Sequence, residues 1–523
     1  MAENTTAQAQ REELQKTIWN IADSLRGAID GWEFKSYILC TIFYRFISEN
    51  LCSYINKLQR ESGNPSFDFA KLSDEKANDK SVKEQMVAEK GFYILPSQLF
   101  INVANKADED ENLNETLSRA FTAIEGSAKG TPSEYAIKGL FSDFSVNNSQ
   151  LGNTVASRNA LIAKVLTSIR DLDLGSSFDK NNIDVFGDAY EFLMKMYASR
   201  AGKSGGEFFT PQEVSEILAR IVMIDNKEPK TVYDPACGSG SLLLKFSKLA
   251  PNREDIKFYG QEINPTTYNL CRINMFLHDI NFANFDIQLE DTLTHPQHLG
   301  MQFDGIVSNP PYSKPWAGAA NSILINDERY SPAGILAPKS KADLAFTMHM
   351  LYHLAESGTA AIVEFPGVLY RGGAEMKIRK YLVDNNYVDS IIQLPQNLFF
   401  SVSIATCIIV LKKSAKKDNN ILFLDASNLF KKEGNKNRMM PEHLDAVVNA
   451  IAERKESEFF TKLVPCDDVA KKDYNLSVSS YVENEVSEEE IDIDQVNADI
   501  NDLTEKVVKL NADINKIIAE LKI

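Results

Sequence analysis

Two periods of hydrophobic spacing divide the chain. From residue 12 to about 175, apolar residues recur every three or four positions, as in LQKTIWNIADSLRG and YILCTIFYRFISENLCSYI, with few strand-like runs. A stripe at that spacing lies along one face of an α-helix, so residues 1–175 are expected to form an N-terminal helical domain. After the polar DKNNID, the segment FGDAYEFLMKMYASRAGKSGGEFFTP reads as a helix running into a glycine-rich loop. The texture then changes to short apolar runs that end in polar residues and alternate with helical segments. These are TVYDPACGSGSLLLKFSKLA, IKFYGQEINPTTYNLCRINMFLHD, FDIQLEDTL and FDGIVSNPPY, then AFTMHMLYHLAESGTAAIVEF, VDSIIQLPQ and ATCIIVLKK. Repeated β-α units predict an α/β domain with a mostly parallel sheet and helices on both faces, assigned to residues 176–465.

The tail differs again. Ile493, Val496, Ile500, Leu503, Val507, Leu510, Ile514, Ile517 and Leu521 fall at alternating steps of three and four, a heptad seam. Residues 466–523 are therefore expected to be a tail carrying one coiled-coil helix. A lone amphipathic helix packed on its own domain has the same stripe, but the strict register, acidic outer faces and terminal position favour a partner helix.

Composition narrows the class. At 523 residues, 44% hydrophobic and 25% charged, the chain has enough apolar material for two or three cores of a multidomain globular protein. No apolar stretch is long enough to span a bilayer, and MAENTTAQAQREEL lacks the basic start and apolar core of a secretory signal, so no membrane contact and a cytoplasmic location are expected. The six cysteines, Cys40, Cys52, Cys237, Cys271, Cys407 and Cys466, stand singly with no C-x-x-C pair. That argues against a disulfide framework and a zinc site, and no metal is expected. A net charge of −17 would oppose nucleic-acid binding if spread evenly, but from Tyr481 onward twelve acidic residues stand against four lysines. Basic stretches remain elsewhere: SRAGK at 199–203, YRGGAEMKIRK at 370–380 and FKKEGNKNR at 430–438. Each alone reads as solvated surface, and only a position around a site changes that.

In TVYDPACGSGSLL an acid, Asp234, ends a strand, and Gly238 and Gly240 form the turn that opens a helix. Glycines there let the backbone approach a ligand closely. A dinucleotide site wants a third glycine where Leu243 stands, and the G-K-[ST] of a phosphate-binding loop is absent. The arrangement suits a cationic ligand without phosphates. S-adenosylmethionine is one: its ammonium needs a carboxylate and its ribose an acid at the end of the next strand. Glu262, in FYGQEINP, is that acid, and one strand further Asp291, in QLEDTL, is placed to accept from the adenine amino group of the cofactor.

VSNPPYSKPW, at 307–316, follows a strand-like FDGIV. Pro310 and Pro311 end the strand and hold the chain in one extended shape, presenting Asn309, the Pro310 carbonyl and the Tyr312 ring at the edge where open α/β sheets bind ligands. An exocyclic adenine amine is a poor nucleophile because its lone pair is delocalised into the ring. Two rigid acceptors, Asn309 and the Pro310 carbonyl, bias that nitrogen toward a pyramidal geometry for in-line methyl transfer, and Tyr312 offers a face for stacking. A base paired in duplex cannot reach such a pocket, so the target must be flipped out. A glutamine amide poses the same chemical problem, and N5-glutamine methyltransferases also use NPPY; they are shorter and lack the upstream GEFFTP loop and the heptad tail.

GEFFTP (206–211), DPACGSGSLL, Glu262 and NPPY, in that order, resemble the amino-methyltransferases of DNA. With LRGAIDGWEFKSYIL, FPGVLYRGGAEMKIRKYL and DASNLF added, nearly the whole chain resembles the modification subunit of type I restriction systems. The resemblance implies a Rossmann-like, S-adenosylmethionine-dependent fold and methyl transfer to N6 of adenine in double-stranded DNA. It also implies two copies of this chain on one specificity subunit that supplies sequence recognition, with room for a restriction subunit. By position, Glu207, Phe208, Phe209, Thr210, Pro211 and Gln212 would line the cofactor with Ser239, Gly240 and Ser241, Glu262 would hold the ribose, and Asn309 to Tyr312 the target adenine. His349 and His353, four apart on one helix, have the spacing of a metal-binding pair but neither the glutamate of H-E-x-x-H nor a third ligand, and Cys237 has no neighbour that would activate it.

Overall fold

The computed structural model describes residues 33–172, 210–399, 403–483 and 493–520 except 252, 319, 320, 417 and 435, plus 16, 18, 19, 186, 187, 189 and 191–193; side chains are described from residue 36, and in the last segment over 500–516. The expected site residues Glu207, Phe208 and Phe209, the SRAGK stretch, and the seam side chains of Ile493, Val496, Ile517 and Leu521 lie outside the described residues.

No strand occurs among the described residues before 210. Helix α1 (Glu33–Glu61) is buried almost all round from Tyr37 to Phe46, which makes it the central element of the N-terminal part. It packs with α2 (Leu113–Ser127) and α3 (Val155–Arg170) in one apolar cluster. Helix α3 starts where the Thr154 hydroxyl accepts from the Ser157 N–H and the Ser157 hydroxyl accepts from the Thr154 N–H. At its other end, where the helical ladder runs out, Arg45 of α1 donates from Nη1 to the carbonyls of Ile169 (2.5 Å) and Leu172 (2.8 Å).

The α/β part contains β1 (Thr231–Asp234), β2 (Lys257–Glu262), β3 (Phe285–Leu289), β4 (Phe303–Ser308), β5 (Leu354–Glu364), β6 (Val388–Gln393), β7 (Cys407–Lys412) and β8 (Asn420–Asp425). A two-stranded hairpin, β9 (Lys431–Glu433) and β10 (Lys436–Arg438), and the last strand β11 (Thr461–Pro465) follow. The nine-stranded sheet has the order β11-β8-β6-β7-β5-β4-β1-β2-β3. Only β7 and β11 run against the rest, so β1 to β6 and β8 all point their carboxyl ends to one edge. The expected mostly parallel sheet is present.

Alternate strand residues serve opposite faces, as period-two geometry requires. Val232, Val307, Ile408 and Leu422 pack with helices α4 (Gln212–Val222), α5 (Ser241–Leu249), α6 (Pro265–Leu277) and α9 (Pro441–Glu453). Tyr233, Ile306, Ile409 and Phe423 pack with α7 (Asp343–His353) and α8 (Ala374–Asp384). Helix α6 also joins the sheet to the N-terminal helices: Arg272 donates from Nη1 to the Tyr135 and Lys138 carbonyls, both at 2.9 Å, and Asn269 donates from Nδ2 to the Ser142 hydroxyl at 2.8 Å. The described residues up to Val482 form one compact unit and those from Glu483 onward a second. The second contains α10 (Ile493–Glu520), on which Ile500, Leu503, Val507, Leu510 and Ile514 are exposed. No helix among the described residues is long and apolar enough to cross a membrane.

Candidate active site

The acids and the NPPY turn meet because of strand order. Strands β4, β1, β2 and β3 are neighbours in that order and parallel, so Asn309, Asp234, Glu262 and Asp291, though spread over 76 residues of sequence, follow one another along a single edge.

Asp234 is completely buried. Its Oδ1 accepts from the Ala236 N–H and the Ser308 hydroxyl, both at 2.9 Å, whereas Oδ2 is buried with no hydrogen-bond partner among the described residues. Burial pushes the carboxyl up to about 7, with the nearby Glu262 adding to the rise and the two hydrogen bonds opposing it. A buried carboxylate oxygen without a donor is costly, and a cationic donor placed beside it would remove that cost.

The glycine loop is tied to the neighbouring strand end. The Cys237 N–H donates to the Gln261 carbonyl (3.1 Å) and the Gly238 N–H to Glu262 Oε2 (3.1 Å), while Glu262 Oε1 accepts from the Asn264 N–H (2.9 Å). Each Glu262 oxygen has a further lone pair for a hydroxyl, and burial holds its carboxyl above the usual range. Gly240, at φ +80°, caps α5, and a Cβ there would stand 2.8 Å from Cys271 Sγ and 3.2 Å from Met275 Cε. Gly240→Ala therefore combines backbone strain with overpacking. It is expected to cost about 2 kcal/mol in denaturant unfolding, and an unchanged midpoint would contradict the geometry. Ser239 and Ser241 are buried in the same turn, where the Ser239 carbonyl accepts from Asn274 Nδ2 (2.8 Å). The Cys237 thiol is held well above its ordinary value by its hydrogen bond with Cys271 and by burial, which leaves it unreactive.

Asp291 is occupied locally. Its Oδ1 accepts from the Leu293 N–H (3.0 Å) and its Oδ2 from the Thr294 hydroxyl (2.7 Å), so it shapes the turn after β3 besides standing in line with the other acids.

On the other side of Asp234, Asn309 donates from Nδ2 to the Thr210 hydroxyl (3.0 Å), which joins the described end of the upstream loop to the NPPY turn. Asn309 Oδ1 accepts from the Tyr312 hydroxyl. Tyr312 is half-buried and meets Phe399 edge to face at 6.3 Å, so its hydroxyl, as well as its ring, belongs to the site. Pro211 is buried at the start of α4, and Gln212, the first residue of that helix, has both amide atoms buried without partners among the described residues.

Several contributors carry weak sequence signals. Ser308 is a lone hydroxyl at the end of the apolar FDGIVS and connects the two halves of the site through Asp234. Asn274 is a polar residue inside the otherwise apolar INMFL. Glu364, at the end of β5, is fully buried, with Oε1 accepting from Thr347 and Oε2 unpartnered among the described residues. Burial and the neighbouring Asp343 push its carboxyl well up, and Asp343 also accepts from the N–H of Ser313, directly after Tyr312. The histidine pair of α7 is core: His349 lies between the Tyr233 hydroxyl and Arg329 Nη1, and His353 donates from Nδ1 to the Met301 carbonyl. No metal-holding group of three occurs among the described residues.

Comparison with known proteins identifies the family. A model described as N-6 DNA Methylase matches residues 181–490, and one described as HsdM N-terminal domain matches residues 14–169. The MpnII type I restriction enzyme methylase subunit of Mycoplasma pneumoniae is 49% identical over 98% of this chain and 97% of its own length. The MjaVIII methylase subunit of Methanocaldococcus jannaschii is 32% identical over 63% of this chain and 58% of its own. A crystal structure of the type I restriction-modification methyltransferase subunit from Streptococcus thermophilus superposes with a TM-score of 0.82 at 34% identity, covering 90% of this chain and 100% of that one. The chain belongs to the N-6 DNA methylase family as a methylase subunit of type I restriction-modification systems, an N6-adenine DNA methyltransferase.

Proposed function

We propose that the methyl donor is S-adenosylmethionine, seated along the carboxyl ends of β1, β2 and β3. The observation that carries the reading is the unpartnered, fully buried Asp234 Oδ2 one strand away from Asn309. Asp234 takes the donor's ammonium group, Glu262 its ribose hydroxyls, and Asp291 its adenine amino group. Gly238, Ser239, Gly240 and Ser241 keep the loop backbone close, and Glu207 to Gln212 cover the donor from the preceding segment. When bound, the donor supplies an electrophilic methyl group on a sulfonium.

The acceptor half belongs to Asn309, Pro310, Pro311 and Tyr312. A duplex base is flipped out at a cost of a few kcal/mol, partly offset by stacking. Its N6 protons are accepted by Asn309 Oδ1 and the Pro310 carbonyl, which orients the nitrogen lone pair toward the methyl group. Asn309 Oδ1 holds the Tyr312 hydroxyl when no base is present, so base capture exchanges one hydrogen bond for another and frees Tyr312 to stack. The Thr210 contact fixes the Asn309 amide so that its oxygen, and not its nitrogen, faces the incoming amine.

Sequence recognition lies in a separate specificity subunit, with two copies of this chain on one copy of it and a restriction subunit able to join. The exposed heptad seam of α10, in a unit of its own, supports a docking role for the tail. DNA lacking its own modification, incubated with labelled donor, is expected to take up methyl at defined sites only when the specificity subunit encoded beside this chain is present. Site-specific methylation by this chain alone would overturn the division of labour.

A further inference from the structure

The basic stretch FKKEGNKNR folds into the β9–β10 hairpin, and topology carries it to the site. Strand β8 runs parallel to β6, and both share the direction of β4, so the chain leaving β8 at Asp425 emerges on the edge that bears Asn309. Side chains of the hairpin then bind the loop that follows β6. Lys436 donates from Nζ to the Phe399 carbonyl (2.6 Å), Asn437 from Nδ2 to the Gln396 carbonyl (2.8 Å), and the Asn437 N–H to the Asn397 carbonyl (3.1 Å). Phe399 is the residue whose ring meets Tyr312. Phe399 thus links the hairpin to Tyr312.

Its charges are unfavourable for the isolated chain. Lys431 pairs directly across the ladder with Arg438, a like-charge arrangement that destabilises a two-stranded ribbon already marginal on its own. Lys431, Lys432 and Arg438 are all exposed, and the one acid of the hairpin, Glu433, stands 3.6 Å from Arg438, between exposed side chains. Three-residue strands with outward cations, pinned by Lys436 and Asn437, hold a concentrated positive charge in place on a protein of net charge −17. A polyanion beside the pocket would relieve the repulsion.

We propose that the β9–β10 hairpin grips the DNA backbone next to the flipped adenine, with Lys431, Lys432 and Arg438 contacting phosphates. This rests on the functional reading above and extends it by naming the surface that receives the duplex. Phosphate contacts position a duplex without reading its sequence, which suits a subunit whose recognition lies in another chain.

The test uses the complex of this chain with its specificity subunit, a mixed-sequence duplex for binding, and genomic DNA lacking its own modification for turnover. Dissociation constants are measured over a range of salt concentrations for wild type, Lys431→Gln/Lys432→Gln, and a charge-matched control, Lys230→Gln/Lys257→Gln, at the amino ends of β1 and β2 on the opposite edge. The hairpin variant is expected to bind DNA on the order of tenfold more weakly, with the slope of log affinity against log salt reduced by about 2, because each released phosphate contact contributes about 0.9. Donor affinity and the turnover rate at saturating DNA stay at wild-type values, as does the control's salt slope. An unchanged slope in the hairpin variant, or an equal loss in the control, would overturn the proposal. A wild-type complex that binds DNA normally but transfers no methyl group would instead strike the functional reading.

Discussion

Replacing Asn309 with alanine in the assembled methylase is expected to lower methyl transfer by about 10²–10³-fold while leaving donor affinity unchanged, the penalty typical of removing one pre-organised polar contact to a reacting group. The split follows from where the side chain is attached. Asn309 extends from β4 and touches Tyr312 and Thr210, the latter in the loop proposed to line the donor, whereas the charged donor contacts proposed above come from β1, β2 and β3. Alanine removes the acceptor for the adenine amine and leaves Asp234 and Glu262 untouched. It also releases the Tyr312 hydroxyl, so base binding is expected to persist while the rate falls. Single-turnover rates, with donor binding measured separately by calorimetry, check both halves. A large loss of donor affinity would move Asn309 to the other side of the site.

Asp234→Asn is expected to do the reverse, with a pH signature. In the empty protein Asp234 is pushed up to about 7, so a donor ammonium must first find, or create, the ionised form. Affinity for S-adenosylmethionine should be fully present above pH 7 and fall about tenfold per pH unit below it, because binding then releases a proton. Breaking a buried charge pair costs several kcal/mol, so the variant should bind on the order of 10²-fold more weakly at pH 8 and lose that pH dependence. Folding stability moves in the opposite sense. A carboxyl with a raised native value favours the fold when protonated, and that contribution is lost as pH rises from about 4 to about 7. Asparagine keeps an Oδ1 acceptor for Ala236 and Ser308 without the ionisation, so the empty variant at pH 8 should melt no lower than wild type. Calorimetric donor titrations and thermal melts between pH 6 and 8 check the two signs; weak binding with the pH dependence intact would assign the titration to another group.

What was legible in the sequence depended on how local the signal was. The parallel sheet could be read because each strand of the NPPY and glycine motifs is a short apolar run followed at once by a functional turn. The alignment of Asp234, Glu262, Asp291 and Asn309 on one edge follows from that topology. Contacts made at long sequence range left weaker marks. Ser308 could have been suspected from its place beside Asn309, but its bond to Asp234 depends on β4 lying next to β1, 74 residues away. Glu364 ends the strand-like AAIVE without any mark of its own, and only burial beside Asp343 reveals it as a perturbed acid near Tyr312. The β9–β10 hairpin read as a run of charges because strands of three residues are too short to show a period of two. Likewise, helical periodicity located the N-terminal helices but could not reveal that Arg272 and Asn269 of α6 bond them to the sheet.

The central claim is that Asn309 and Asp234 bring an adenine amine and a methyl donor together at one sheet edge. The measurement that tests it most directly is single-turnover transfer of labelled methyl from S-adenosylmethionine by the complete complex, with the DNA digested to nucleosides and the protein fraction counted separately. The account predicts that the label is recovered as N6-methyladenine and forms about 10²–10³-fold more slowly with Asn309→Ala although the donor remains bound. Label recovered on protein glutamine, or N6-methyladenine formed at the wild-type rate by the Asn309→Ala complex, would contradict it.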